Sequence, residues 1–464
     1  MLFFYLSQFG GLLLLSKKSI RLLVYCYLFS IILSQPLYLL NNSDSKSLAT
    51  IASSSTLWGV VLLIALQGGY WTIKDQVKPE YSNQPVPLRK FLFALTFITF
   101  LGISISITRY ELGSIQVIDA LKVLLSLIIG IQLMKLNFLG ENFTFRLIRV
   151  FLLSQVIFGL TQYYAIVFNK ETGLSIFLVG SEKAWWDSYA VWGSFPNSGK
   201  NTFATLLVFS CAILIPIYFN QIKIKSSVTR VSSFLTGLIL ALTVLALYLS
   251  KSRTNLIVFT SILVIELIVL YRSNSKKPLL IFMVLILSTL FTFSYLNYGF
   301  LSRNSWVDRW DSLYVRFNIA RSVFNSDSLN YLIGTGAGSI FDHTQGSFAD
   351  NVRSGNLTLG INSDNSYIRT FAETGLVGLF ILVSSIIRYP GYVLRTLDNF
   401  ENKKVLLRSY MYLGWAFLAA LASSDLISNT TLIAYFVLLI GCLASNPGIP
   451  SSRIANQQSE NPVR

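Results

Sequence analysis

The chain has a single histidine, His343, and only three cysteines, Cys26, Cys211 and Cys442, among 464 residues. One histidine excludes a multi-histidine metal site. The cysteine spacing fits neither a metal site nor a disulfide framework, and each cysteine falls in an apolar stretch as a small lipid- or bundle-facing residue. Charge is scarce too, since Asp, Glu, Lys and Arg together make up 12% of the residues. There is no P-loop, no nucleotide-binding glycine fingerprint and no HExxH, so nothing points to ATP hydrolysis. No internal repeat is visible.

What is abundant is apolar. Hydrophobic residues reach 53%, far from a soluble average, so one polytopic membrane domain over residues 1–464 is expected rather than two or three soluble ones. Twelve apolar segments fall near 20–40, 52–73, 91–107, 115–134, 150–168, 202–219, 231–250, 254–271, 278–296, 366–387, 405–424 and 427–445. Most are long enough to cross a hydrocarbon core, which takes about 20 helical residues. Helices are required, because backbone polar groups in lipid must pair internally. The expected fold is therefore an all-α polytopic membrane protein with about 12 transmembrane helices.

The basic residues set the orientation. With the N-terminus inside, the inner segments hold 22 of the 37 Lys and Arg, the outer segments hold 12, and Lys122, Arg369 and Arg408 lie within spans. Cytoplasmic loops are the basic ones, so both termini are placed in the cytoplasm. The net charge of +16 then reflects topology and anionic lipid, not nucleic acid. Residues 1–18 lack a basic lead and a small-residue cleavage site, so an interfacial helix is expected there and a cleaved signal peptide is not.

Two outer loops are long, residues 169–201 and 297–365, and loops of that length are functional or disordered. Both carry Trp and other apolar residues, which favours order. In the second loop, Leu313, Phe317, Ala320 and Phe324 repeat at helical spacing, so a helical subdomain is expected. Ile333-Gly334-Thr335-Gly336-Ala337-Gly338 follows as a turn whose glycines allow close backbone approach. The five basic residues of this loop, Arg303, Arg309, Arg316, Arg321 and Arg353, are all arginine, the side chain suited to gripping phosphate with a planar fork. A solvated face paired with nearby aspartates is the other reading.

The stretch from Asp364-Asn365-Ser366-Tyr367 to Gly375-Leu376-Val377-Gly378 resembles the hallmark of the bacterial O-antigen ligase and O-antigen polymerase superfamily. Three further motifs come in the expected order. They are Phe195-Pro196-Asn197 with Asn201-Thr202-Phe203-Ala204, Ser252-Arg253 opening a span, and Arg316 through Arg321 to Gly334–Gly338. The resemblance implies a metal-independent membrane glycosyltransferase of the bacterial plasma membrane that uses no cofactor. It implies a polyprenyl-diphosphate-linked oligosaccharide donor on the outer face. Polymerases pass the glycan to another carrier-linked repeat, and ligases pass it to lipid A-core. A chain-length regulator is a further partner for such enzymes. Ligases carry His where Asp364 stands here, with the spacing to Gly-x-x-Gly preserved. That substitution favours a polymerase of O-antigen, capsule or exopolysaccharide.

Transfer from a diphosphate needs the leaving group stabilised and the acceptor hydroxyl deprotonated. Arg253 and Arg316 are the first candidates for the former, with Arg321, Arg309 and Lys251 as further phosphate contacts. Arg253 and Lys251 also suit an interfacial anchor. Asp364 is the candidate base, and equally a candidate N-cap for the tenth span. Asn365 suits a cap or a sugar contact, and Asn201 a substrate contact. Arg369 and Glu373 are expected to pair at helical spacing, as are Asp119 and Lys122. Trp185, Trp186, Trp192, Trp306 and Trp310 suit sugar stacking or the membrane interface. The remaining competitor is a secondary transporter, which shares the twelve-span layout but puts its ionisable groups at mid-membrane.

Overall fold

The computed structural model describes residues 22–27, 59–66, 88–109, 115–136, 141–168, 190–194, 199–223, 227–271, 328–337, 365–397, 403–423, 426 and 429–444. All regular structure among them is helical: α1 (Arg89–Arg109), α2 (Ile115–Leu136), α3 (Glu141–Phe168), α4 (Gly199–Lys223), α5 (Ser227–Leu249), α6 (Arg253–Tyr271), α7 (Ser328–Ile333), α8 (Ser366–Leu397), α9 (Lys403–Ser423) and α10 (Thr430–Ala444). Residues 22–27 and 59–66 are helical pieces inside the first two expected spans.

By length and composition, five helices could cross a membrane: Arg89–Thr108, Arg146–Val167, Lys200–Asn220, Ser366–Leu394 and Lys404–Ala422. α2, α5, α6 and α10 carry shorter apolar cores, such as Ala120–Gln132 and Thr431–Gly441. Each of these nine helices matches an expected span in order. The ninth expected span, 278–296, and the 313–324 helix lie outside the described residues.

A helix that is apolar on every face can be enclosed by other helices or lie against lipid. α4 is enclosed: Thr202 through Pro216 are buried without exception, surrounded by α3, α5, α6, α9 and α10. Its internal polar groups are satisfied locally. The Ser210 hydroxyl donates to Leu206 O at 2.8 Å and lies 2.6 Å from the Tyr435 hydroxyl of α10. Rings in edge and tilted contact run across the bundle, from Phe209 to Phe436 (5.5 Å), Phe417 (4.4 Å from Phe436) and Phe91 (5.4 Å from Phe417), tying α4, α10, α9 and α1.

Two departures from expectation have simple causes. α8 runs to Leu397, past the expected end at 387. The apolar run stops at Arg388, but Tyr389 and Val393 are four apart and keep one face buried, so the helix continues as an amphipathic one. α6 and α9 share a buried ion pair with no counterpart in the expectations. Glu266 is fully buried and accepts from Arg408 Nη1 at 2.8 Å, the partner that a carboxylate at such a position requires.

Candidate functional site at one end of the bundle

α5 and α6 are joined by three residues, Ser250, Lys251 and Ser252, as the tight turn expected from Lys251-Ser252-Arg253. Lys251 sits at φ 55°, a left-handed conformation uncommon for a residue with a side chain. Two bonds hold it there: Lys251 N to Tyr248 O at 3.0 Å, and Ser252 N to the Ser250 hydroxyl at 3.3 Å. Partial desolvation at this turn lowers the pKa of the Lys251 ammonium below its ordinary value.

Beneath the turn, α4 and α6 exchange polar groups. Ser252 Oγ donates to Asn201 Oδ1 at 3.1 Å and accepts from Asn255 Nδ2 at 2.9 Å. Asn255 Nδ2 also donates to Thr205 Oγ1 at 3.2 Å, and the Thr205 hydroxyl lies 3.4 Å from Asn255 Oδ1. Thr205, Ser252 and Asn255 are all buried. One turn round α4, Thr202 Oγ1 accepts from Asn429 Nδ2 at 3.1 Å, and Asn429 caps α10 by accepting from Leu432 N at 3.1 Å. The start of α8 joins through Ser366 Oγ, which accepts from Leu426 N at 2.7 Å. The first turns of α4, α6, α8 and α10 thus meet at one end of the bundle.

α8 begins with Asn365, whose Oδ1 accepts from Tyr367 N at 3.0 Å and Ile368 N at 3.2 Å. Asn365 is the N-cap. The cap considered for Asp364 is therefore taken by its neighbour. One turn on, Arg369 Nε donates to Glu373 Oε1 at 2.7 Å, so the expected pair forms.

Two more segments close in on this end. Residues 190–194 are wholly buried and clamped by α3, with Gln155 holding Ser194 (3.2 Å to its amide) and Gln162 holding Trp192 and Gly193. Trp192 has no exposed surface, so it is unavailable for sugar stacking. The second segment is the glycine turn after α7. At Gly375, with φ 64° and ψ −163°, α8 breaks. The carbonyls of Ala372 and Glu373 would otherwise accept from Leu376 and Val377. They accept instead from Thr335 N and Gly336 N, both at 2.9 Å. The far side of the turn docks on α1, with Ala337 N donating to Gly102 O at 3.0 Å and Ser106 Oγ donating to Ala337 O at 3.0 Å. A Cβ at Gly334 would collide with the backbone of Glu373 and Thr374, and one at Gly375 with the Leu332 carbonyl. The close approach read from the glycines is thus directed into a broken helix.

Of the site residues expected from sequence, the structure brings Asn201 and Lys251 to the same end and places Asn365 at the head of α8 there. Arg253 is the first residue of α6, and its side chain lies outside the described residues, as do those of Asp119 and Cys442. Asp364, Arg309, Arg316, Arg321, His343, Trp185, Trp186, Trp306 and Trp310 lie outside them entirely. Sequence reasoning passed over Thr205, Asn255, Asn429, Gln155 and Gln162. Each is a polar side chain in or beside an apolar helix, and Gln155 and Gln162 are seven apart on one face, but the sequence does not show which of them meet.

Residues 238–383 match the family model described as O-antigen ligase. Over this segment the chain is similar to that family. The matched segment spans the second half of α5, the Lys251 turn, α6, α7, the glycine turn and α8 to a point past its break. It contains Lys251, Arg253, Arg309, Arg316, Arg321, Asp364 and Asn365. Asn201 lies outside it and is tied to it by the Ser252 hydroxyl. The similarity agrees with the resemblance carried by the motifs and lends no support to the transporter layout. No curated protein matches the chain.

Proposed function

We propose that this chain is a polysaccharide polymerase of the bacterial plasma membrane. On the outer face it transfers a glycan from a polyprenyl-diphosphate carrier to a growing carrier-linked chain. The observation that carries the reading is the convergence of the Asn201, Ser252-Arg253 and Asn365 motifs, distant in sequence, at one bundle end.

In this reading the acceptor hydroxyl oxygen attacks the anomeric carbon of the donor. The bond from that carbon to the diphosphate oxygen breaks, and the diphosphate leaves with the electron pair. Arg253 and Arg316 stabilise the charge developing on it, where fixed cations count most in a poorly hydrated site. Lys251, Arg309 and Arg321 hold the remaining phosphate oxygens, and Asn365 and Asn201 line the approach. Asp364 takes the hydroxyl proton.

The second reading is a ligase with lipid A-core as acceptor, favoured by the description of the matched family. Asp364 in place of the ligase histidine argues for the polymerase. The deciding test is gene deletion with the surface polysaccharide run on a gel. Single repeats in the deletion strain identify a polymerase, and long polymer retained on the carrier identifies a ligase. In the purified enzyme, Arg253→Ala and Arg316→Ala should each nearly abolish polymer synthesis. Each removes charge-assisted bonds worth about 1.5–3 kcal/mol, more where they strengthen in the transition state. Lys at either position should restore only part, because the fork is lost. Full activity in both alanine variants would overturn the phosphate role.

A further inference from the structure

The proposed reaction assigns its cations to loops, and loops need something rigid beneath them. The α5–α6 turn is three residues long, carries Lys251 in a left-handed conformation, and is followed at once by Arg253. Backbone in such a conformation persists only where its surroundings over-determine it. Its surroundings here are a relay of buried side chains, not an apolar contact. Asn255, one turn into α6, is the centre of that relay. Its amide nitrogen donates to Ser252 Oγ within the turn and to Thr205 Oγ1 on the fully enclosed α4, and Ser252 passes the connection to Asn201.

We infer that Asn255 is a positioning residue for the donor diphosphate. It locks the Ser250-Lys251-Ser252 turn onto the first turns of α4, so that Lys251 and Lys200, next to Asn201, form one rigid anion-binding rim. The inference rests on the proposed use of a diphosphate-linked donor. α4 is the right anchor because it is packed on all sides and cannot follow a shift of the turn. The sequence gives the same grouping from an independent direction. Asn201 and Ser252-Arg253 belong to two separate motifs of the resemblance, and the side chains of this relay join them.

The role differs from that of a core hydrogen bond. A purely structural Asn255 would affect folding and leave the donor constants of the folded enzyme alone. A positioning residue shifts the affinity for the diphosphate, since small misplacements of binding groups cost up to about 100-fold.

The experiment uses the purified full-length protein, the carrier-linked repeat unit as donor, and inorganic pyrophosphate as a competing probe. The variants are Asn255→Leu and the pair Asn255→Leu with Thr205→Val. The pair removes both partners of the buried amide–hydroxyl contact together, which is far gentler on folding than orphaning one of them. The expected result is a rise of about tenfold or more in donor KM and in the pyrophosphate inhibition constant, in step, with a smaller change in kcat. Melting temperature in detergent should stay near wild type for the double variant. A folded double variant with wild-type KM and inhibition constant would overturn the inference. So would a loss confined to kcat. Wild-type enzyme that pyrophosphate does not inhibit would overturn the diphosphate-donor reading itself, and the inference with it.

Discussion

Asn365 follows Asp364 in the sequence, and the structure gives the cap of α8 to Asn365. Asn365 accepts both amides of the first turn. Asn365→Ala should therefore lower stability by about 1 kcal/mol, read as melting temperature in detergent. Asp364→Asn should leave melting unchanged and reduce transfer by roughly 10²–10⁴-fold, read as polymer synthesis from carrier-linked repeats, if the carboxylate is the base. An active Asp364→Asn enzyme would remove it from the mechanism. Lys251 gives a pH prediction. Its pKa is lowered by desolvation, so its charge is lost at a lower pH than for an ordinary lysine. A donor held partly by that charge binds more weakly as pH rises, and KM should climb on the alkaline side. Lys251→Arg should flatten the climb, since a guanidinium stays protonated throughout. At this scale the placement of Asn201, Lys251 and Asn365 at helix ends was legible, because each sits beside an expected span boundary. The relay under them was not, because Asn255 and Thr205 lie in apolar helices and only the packing of α6 on α4 shows that they meet.

Helix α8 carries the clearest element-scale feature. Gly375 combines φ 64° with ψ −163°, a region essentially reserved for glycine. Gly375→Ala should cost roughly 1–3 kcal/mol for the backbone alone, with the collision at the Leu332 carbonyl added to it. Ser106→Ala, which removes one hydroxyl bond to the same turn, should cost only about 1 kcal/mol. Comparing the two melting temperatures checks whether the break or the general docking of the turn matters more. The helices themselves were legible from apolar runs, and nine described apolar helices fall in the expected order. The break was not legible. Gly375-Leu376-Val377-Gly378 reads as ordinary punctuation of a span, and only the arrival of Thr335 and Gly336 reveals that two of its carbonyls accept from elsewhere.

For the whole molecule, the charge pattern and the convergence of helix ends make one joint prediction about sidedness. Lys251 lies at the end where α4, α6, α8 and α10 begin, and Lys404 lies at the opposite end of α9; both are exposed. In a background without Cys26, Cys211 and Cys442, Lys251→Cys should react with an impermeant thiol reagent in intact spheroplasts, and Lys404→Cys only after lysis. The reverse pattern would invert the topology. The broken helix has a consequence for how the protein is made. By the rise of an α-helix, Gly375 lies about 14 Å along α8 from Ser366, within the candidate span Ser366–Leu394. There an uncapped carbonyl facing lipid costs several kcal/mol. The caps come from Thr335 and Gly336, which precede α8 in the chain and sit between α1 and α8. α8 is therefore complete only once that turn is seated, so its formation waits on a contact made outside its own sequence.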